Sequence, residues 1–144
     1  MLFIHKVFKL KKVMVFGSFD LLHKGHIYFL NEAKKFGDFL IVVVGRDFTI
    51  KKIKKEFPFE NEELRLKKIK DLKIADKIIL GHETDFYLPI KNEKPDIICL
   101  GYDQDSFTNH LKEKIESFSF NTEIIRLKAY KPDQYKSSII KKNK

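Results

Sequence analysis

Two histidines three residues apart, His23 and His26, with Gly25 between them, carry the most chemistry in this chain. Imidazole donates a hydrogen bond to a phosphoryl oxygen, and imidazolium also offsets charge that builds up during phosphoryl transfer. Just upstream, Gly17 and Ser18 form a small-residue turn with Phe19, where a backbone can approach a phosphate closely. Gly25 removes a side chain that would obstruct the same approach. The apolar run at 13–16 reads as a buried strand, and 27–36 reads as a helix, so the pair falls where a strand hands over to a helix. Free backbone N–H groups and the positive end of a helix dipole converge at such a junction. The placement points to an enzyme acting on a nucleotide. Other readings stand beside it: two unrelated surface histidines, or metal ligands at i, i+3 spacing without an obvious third ligand. A satisfied core pair is disfavoured by Lys24 between them.

The elements that must position this pair follow from apolar patterning. Strand-length apolar runs recur at 13–16, 39–44, 77–80, 96–100 and 123–127, with helix-like segments between them. Ile27, Leu30, Ala33 and Phe36 form one helical stripe, with Gly37 as its terminator. Residues 62–72 form a lysine-rich amphipathic helix that turns Leu66, Ile69 and Leu72 inward. A third helix spans 106–117, with Leu111 and Ile115 inward; a short one starts near Asp85, where Pro89 is tolerated early; a terminal one covers 137–142. Nearly continuous apolar strands alternating with helices predict an α/β fold: a five-stranded parallel sheet with helices on both faces. Ligands bind at the carboxyl ends of such strands. The turns at 17–26, 45–55, 101–104 and 128–138 are therefore expected to converge.

The 144 residues suggest one domain, 1–144, with a core of useful size. No apolar run reaches the roughly 18–20 residues of a membrane span, and the N-terminus lacks the cleavage region of a signal peptide. The single cysteine, Cys99, excludes an internal disulfide, fits a cytoplasmic protein, and reads as a buried strand residue. A net charge of +9 admits nucleic acid as a partner. The lysines are dispersed, however, and no nucleic-acid module is present, so most read as solvated helix faces and some as neutralising a triphosphate.

Gly17-Ser18-Phe19-Asp20-Leu21-Leu22-His23-Lys24-Gly25-His26 resembles the HxGH motif of the cytidylyltransferase-like nucleotidyltransferases. Asn61 to Leu66, Ala75 to Gly81 and Lys94 to Gln104 resemble that family's middle helix, following strand and nucleotide-pocket segment. The resemblance implies a Rossmann-like fold. It also implies a reaction in which an NTP and a phosphorylated acceptor give a nucleoside-diphosphate conjugate and pyrophosphate. His23 and His26 would stabilise charge on the triphosphate, with Lys24 assisting. The family places one lysine after the second strand against phosphate; among Lys51, Lys52, Lys54 and Lys55 we assign Lys52. Gly101, Asp103 and Gln104 would lie near the nucleotide, as would Ser137 and Ser138 at the start of the last helix. Mg²⁺ (or another divalent cation) would accompany the triphosphate. Its ligands are unassigned, because Asp20, the carboxylate nearest the motif, is equally a helix cap. Relatives are often homodimers, and residues 65–77 are a contact that fits.

The acceptor follows from departures within the family. The glycerol-3-phosphate cytidylyltransferases carry an arginine and a threonine- and serine-rich stretch where this chain has Lys136, Ser137 and Ser138. Gly45-Arg46-Asp47, the 100–104 segment and residues 131–138 are closer to the archaeal-type FAD synthetases. Transfer of AMP from ATP to FMN therefore ranks first. Cytidylyl transfer from CTP to glycerol 3-phosphate or a similar phosphorylated alcohol comes second and another phosphorylated acceptor third; a non-catalytic nucleotide-binding domain is disfavoured because both histidines and the serine pair are present.

Overall fold

The computed structural model describes residues 9–105 and 110–129. Five strands, β1 (Lys12–Gly17), β2 (Phe39–Val44), β3 (Lys77–Leu80), β4 (Ile97–Leu100) and β5 (Glu123–Arg126), form one sheet in the order β3-β2-β1-β4-β5. Every pairing is parallel. Gly17 lies opposite Val44, and Val44 opposite Leu80, so β1, β2 and β3 stop level with one another. The chain reverses its direction of winding between β1 and β4, and loops leaving those two strands must diverge and open a crevice.

The helices are α1 (Lys24–Lys34), α2 (Asp47–Lys54), α3 (Glu62–Leu72), α4 (Leu88–Glu93) and α5 (Leu111–Glu116). Alternate side chains of a strand face opposite ways, which splits the core in two. Val13, Val15, Val42, Val44 and Cys99 pack with Leu30 and Ala33 of α1 and Ile69 of α3. Met14, Phe16, Ile41, Val43, Ile98 and Leu100 pack with Ile90 of α4 and Leu111 and Ile115 of α5. Both faces of the sheet are thus covered. Cys99 is wholly buried, and burial pushes its thiol up to about 12, which keeps it protonated.

An aspartate before three of the strands fixes the edge opposite the site. The carboxylates of Asp38, Asp76 and Asp96 accept the N–H groups of Lys11, Leu40 and Lys12 at 3.0, 2.8 and 2.8 Å. Each ties the start of one strand to its neighbour.

The helix expected over 106–117 begins at Leu111, with His110 as its N-cap and 106–109 outside the described residues; four further expectations change. First, α1 begins at Lys24 rather than at 27, because its cap is made by side chains that no apolar pattern reveals. Secondly, Phe36 lies beyond the helix and is 37% exposed, so it is not part of the inward stripe. Thirdly, Gly37 does not end α1 through a left-handed turn, since Lys35 caps the helix in the right-handed region and no described glycine has positive φ. A Cβ on Gly37 would lie 2.6 Å from the Lys11 carbonyl oxygen, so close backbone approach is what requires glycine there. Fourthly, the segment after β2 folds as α2 instead of an open loop, pinned by the buried Ile50.

Candidate active site

His23 is the N-cap of α1, in extended backbone, and its Nδ1 accepts the Gly25 N–H at 3.0 Å. His26, in the first turn, returns the bond: its Nδ1 accepts the His23 N–H at 3.2 Å. This is a capping box made by two imidazoles instead of Ser and Glu. The N–H groups expected to face a phosphate at this helix start are therefore partly taken by the histidines themselves. Because both Nδ1 atoms accept, both neutral rings carry their proton on Nε2. The rings stack with centroids 3.8 Å apart at 30°. The pair is thus a rigid double donor.

The His26 pKa is lowered from 6.5 to about 3, by burial first and then by His23 and Lys54, with Asp20 opposing them. Burial also lowers the pKa of His23. Both rings are neutral at pH 7. An unfolded chain protonates its histidines near pH 6.5, whereas folded His26 resists down to about 3. Acid therefore favours the unfolded state, so this contribution to stability is complete above pH 6.5 and is lost as the pH falls toward 3. We expect a lower urea midpoint at pH 5 than at pH 7.5. The difference should shrink in His26→Gln, which keeps a capping acceptor but does not titrate. An unchanged difference would refute the assignment.

The turn before the pair is strained and clamped. Phe19 and Leu21 hold left-handed backbone, φ 51° and 53°, which for side chains of this size costs on the order of 1–3 kcal/mol each. Gly17 is needed because a Cβ there would meet the Phe19 ring at 2.7 Å. That ring, 3% exposed, points into the core and contacts His26 edge-on at 5.6 Å. Phe19 thus buttresses His26 with its side chain. The carboxylate of Asp20, 1% exposed, accepts the N–H groups of Phe59 and Glu60 at 2.8 and 2.9 Å. Asp20 is accordingly neither the cap of α1 nor a carboxylate held out for a cation. Glu60 accepts the Leu21 N–H at 3.0 Å and is paired with Lys68.

Arg65 completes the clamp. Its guanidinium is fully buried and donates to Ser18 O at 2.7 Å, Glu60 O at 2.9 Å and Asp47 Oδ1 at 2.7 Å. One side chain thereby fastens the motif turn, the 57–60 segment and the start of α2 together. Arg65 opens the segment 65–77 expected to form a dimer contact, and its complete burial keeps it out of any such contact. A signal was present: Arg65, Ile69 and Leu72 follow i, i+4, i+7, so an arginine occupies the inward stripe. Arg46 does similar work nearby, donating to Gly81 O at 2.8 Å and Glu62 at 2.9 Å.

Of the lysines after β2, it is Lys54 that reaches the motif. Its Nζ lies 3.5 Å from Ser18 Oγ, and its charge bears on His26. Lys52 is exposed on α2, and no hydrogen bond or ion pair joins it to the motif. Lys24 is exposed on the first turn of α1. At the crevice between β1 and β4, the Gln104 amide accepts the Gly101 N–H at 2.8 Å and donates to Phe16 O at 2.6 Å. Gln104 therefore bridges the ends of the two diverging strands. Arg126 of β5, unmarked by any sequence signal, holds this loop through Gly101 O at 2.7 Å and Gln104 O at 3.3 Å. Asp103 is exposed in the same loop. The turns at 17–26, 45–55 and 101–104 thus gather at the carboxyl edge of the sheet. Ser137 and Ser138, and the terminal helix expected at 137–142, lie outside the described residues.

Comparison with known proteins shows which family the chain resembles. The chain is 44% identical over 131 residues to an FAD synthase of Thermoplasma acidophilum, covering 91% of this chain and 92% of that one. It is 45% identical over 127 residues to an FAD synthase of Archaeoglobus profundus, covering 88% and 81%. A solved Thermoplasma volcanium structure, described as a lipopolysaccharide core biosynthesis protein, superposes with a TM-score of 0.79 at 43% identity, over 85% of this chain and 99% of that one. Pantoate-beta-alanine ligase of Francisella tularensis shares the fold alone, with a TM-score of 0.59 at 16% identity over 92% and 68% of the two chains. The cytidylyltransferase-like family model matches residues 14–143, and the chain belongs to that family.

Proposed function

We propose that the protein is an FMN adenylyltransferase, transferring AMP from ATP to FMN with release of pyrophosphate. The chemistry rests on the stacked, neutral histidine pair at the cap of α1. The choice of acceptor rests on likeness to FAD synthases over about nine-tenths of the chain. An oxygen of the FMN phosphate attacks the α-phosphorus in line, the bond to the bridging β-oxygen breaks, and pyrophosphate departs. The attacking oxygen is already anionic, so no general base is required. His23 and His26 donate their Nε2–H groups to phosphoryl oxygens as charge moves toward the leaving group. Lys54 and Ser18 receive the phosphate of the acceptor and hold it for attack. Gly101, Asp103 and Gln104 take the nucleoside end, and Ser137 and Ser138 are assigned to the triphosphate.

A divalent cation, Mg²⁺ first, would enter with the triphosphate as part of the substrate and would screen its charge. Among the described residues no three His, Cys, Asp or Glu side chains gather as a metal site, and the cation's protein ligands are unassigned. A single cysteine fits a cytoplasmic enzyme, and no described helix is long and apolar enough to cross a membrane. A homodimer remains part of the reading, through the exposed residues of 67–77 and without Arg65.

Lys54→Ala should raise KM for FMN by about tenfold, as expected for a lost charge-assisted contact. Lys52→Ala should stay within about twofold. Equal effects in steady-state assays would remove Lys54 from the site. The reading as a whole is tested by pyrophosphate release with Mg²⁺, crossing ATP and CTP with FMN and glycerol 3-phosphate. Release with ATP and FMN alone supports it. Release only with CTP and glycerol 3-phosphate overturns it in favour of a cytidylyltransferase.

A further inference from the structure

Large apolar side chains are exposed close to the site. Phe48 is 78% exposed, Phe57 51% and Phe59 61%. Phe48 and Phe57 meet edge to face, with centroids 5.5 Å apart at 76°. The Lys51 ammonium lies 5.5 Å from the centre of the Phe57 ring and donates to the Lys55 carbonyl at 2.9 Å, so Phe57 is braced from two sides. Exposing such rings to water is unfavourable by roughly 25 cal/mol per Å², and contiguous apolar surface of this kind marks a binding surface.

The patch is built into the same clamp as the histidine pair. Phe48 follows Asp47, which Arg65 ties to Ser18. The N–H of Phe59 is held by Asp20, inside the motif turn. Lys54, six residues along α2 from Phe48, reaches Ser18. A ligand whose phosphate meets Lys54 and Ser18 therefore has an aromatic surface within one short helix of its anchor. The segment 51–55 adds four lysines and Ile53, a combination that suits an anionic ligand with a flat apolar end.

We propose that Phe48, supported by Phe57, is the platform on which the planar ring system of the acceptor stacks. The inference rests on FMN being the acceptor and adds where its isoalloxazine ring lies. Phe48 then determines specificity, because a small phosphorylated alcohol gains nothing from an aromatic surface. An aromatic ring stacked on a flat heterocycle gives affinity that an aliphatic side chain of equal size does not reproduce.

The test is steady-state kinetics of wild type, Phe48→Ala, Phe48→Leu and Phe48→Tyr with ATP against FMN and with CTP against glycerol 3-phosphate, alongside sedimentation velocity. The side chain is largely in solvent, so these variants should fold. Phe48→Ala and Phe48→Leu should raise KM for FMN about tenfold with KM for ATP unchanged, and Phe48→Tyr should stay near wild type. If FMN is turned over and Phe48→Ala leaves its KM unchanged, the platform is wrong while the acceptor stands. A changed sedimentation coefficient with unchanged KM for FMN identifies the patch as a contact between two copies, and also overturns the platform. Wild-type turnover of glycerol 3-phosphate but not FMN overturns the acceptor itself, and the platform with it.

Discussion

Replacing His26 by Ala should lower kcat by about a hundred- to a thousand-fold, with the Kd for ATP changed only a few-fold. That magnitude is typical of deleting one preorganised donor from the site where charge develops. The donor is preorganised here because the Nδ1 of His26 is committed to the His23 N–H, and the ring is stacked on His23 and edged by Phe19. His23→Ala should behave similarly. The double variant should lose less than the product of the two, since each ring positions the other. Rapid-quench kinetics with calorimetric ATP binding separates the effects. Equal loss of binding and turnover, or no loss of turnover, would remove the histidines from the catalytic machinery.

Arg65→Met should be the most destabilising single change near the site, at about 3–5 kcal/mol. The methionine fills similar volume but leaves the carbonyl oxygens of Ser18 and Glu60 and the carboxylate of Asp47 without their donor. For a chain of this length the loss corresponds to roughly 10–17 °C in Tm. Turnover should fall as well, even in the cold where the variant remains folded, because the left-handed residues Phe19 and Leu21 lose the clamp that holds them. Arg65→Lys should recover only part of either property, since one ammonium cannot reproduce a three-way fork. Thermal melts and kcat/KM at low temperature test both; a melt within about 2 °C of wild type would show the buried guanidinium to be dispensable.

The sheet was legible because its strands are unbroken apolar runs, and a parallel sheet covered on both faces requires them. The histidine pair was legible through its place between strand and helix. What escaped was carried by polar groups acting inside the fold. The start of α1 was hidden because its cap is an imidazole, not a Ser or Asp. The helical state of residues 47–54 was hidden because Ile50 is the only buried side chain of α2, too little for a stripe. Asp20 read as a cap or a metal ligand, and only tertiary structure brings the Phe59 and Glu60 N–H groups to it. Arg65 sat on the inward stripe in plain view, but burying an arginine needs acceptors from three separate segments, which sequence spacing does not bring together. The same holds for Lys54: four lysines share one short stretch, and the geometry of α2 decides which faces Ser18.

The central claim is direct in-line transfer of AMP to FMN, with the histidines as hydrogen-bond donors and not as nucleophiles. It is tested most directly by the stereochemistry of the reaction with one diastereomer of ATP carrying sulfur on the α-phosphorus. Direct transfer predicts a sulfur-bearing FAD whose configuration at that phosphorus is inverted. Retention would require two displacements through a nucleotidyl-enzyme, and would contradict the role assigned to His23 and His26.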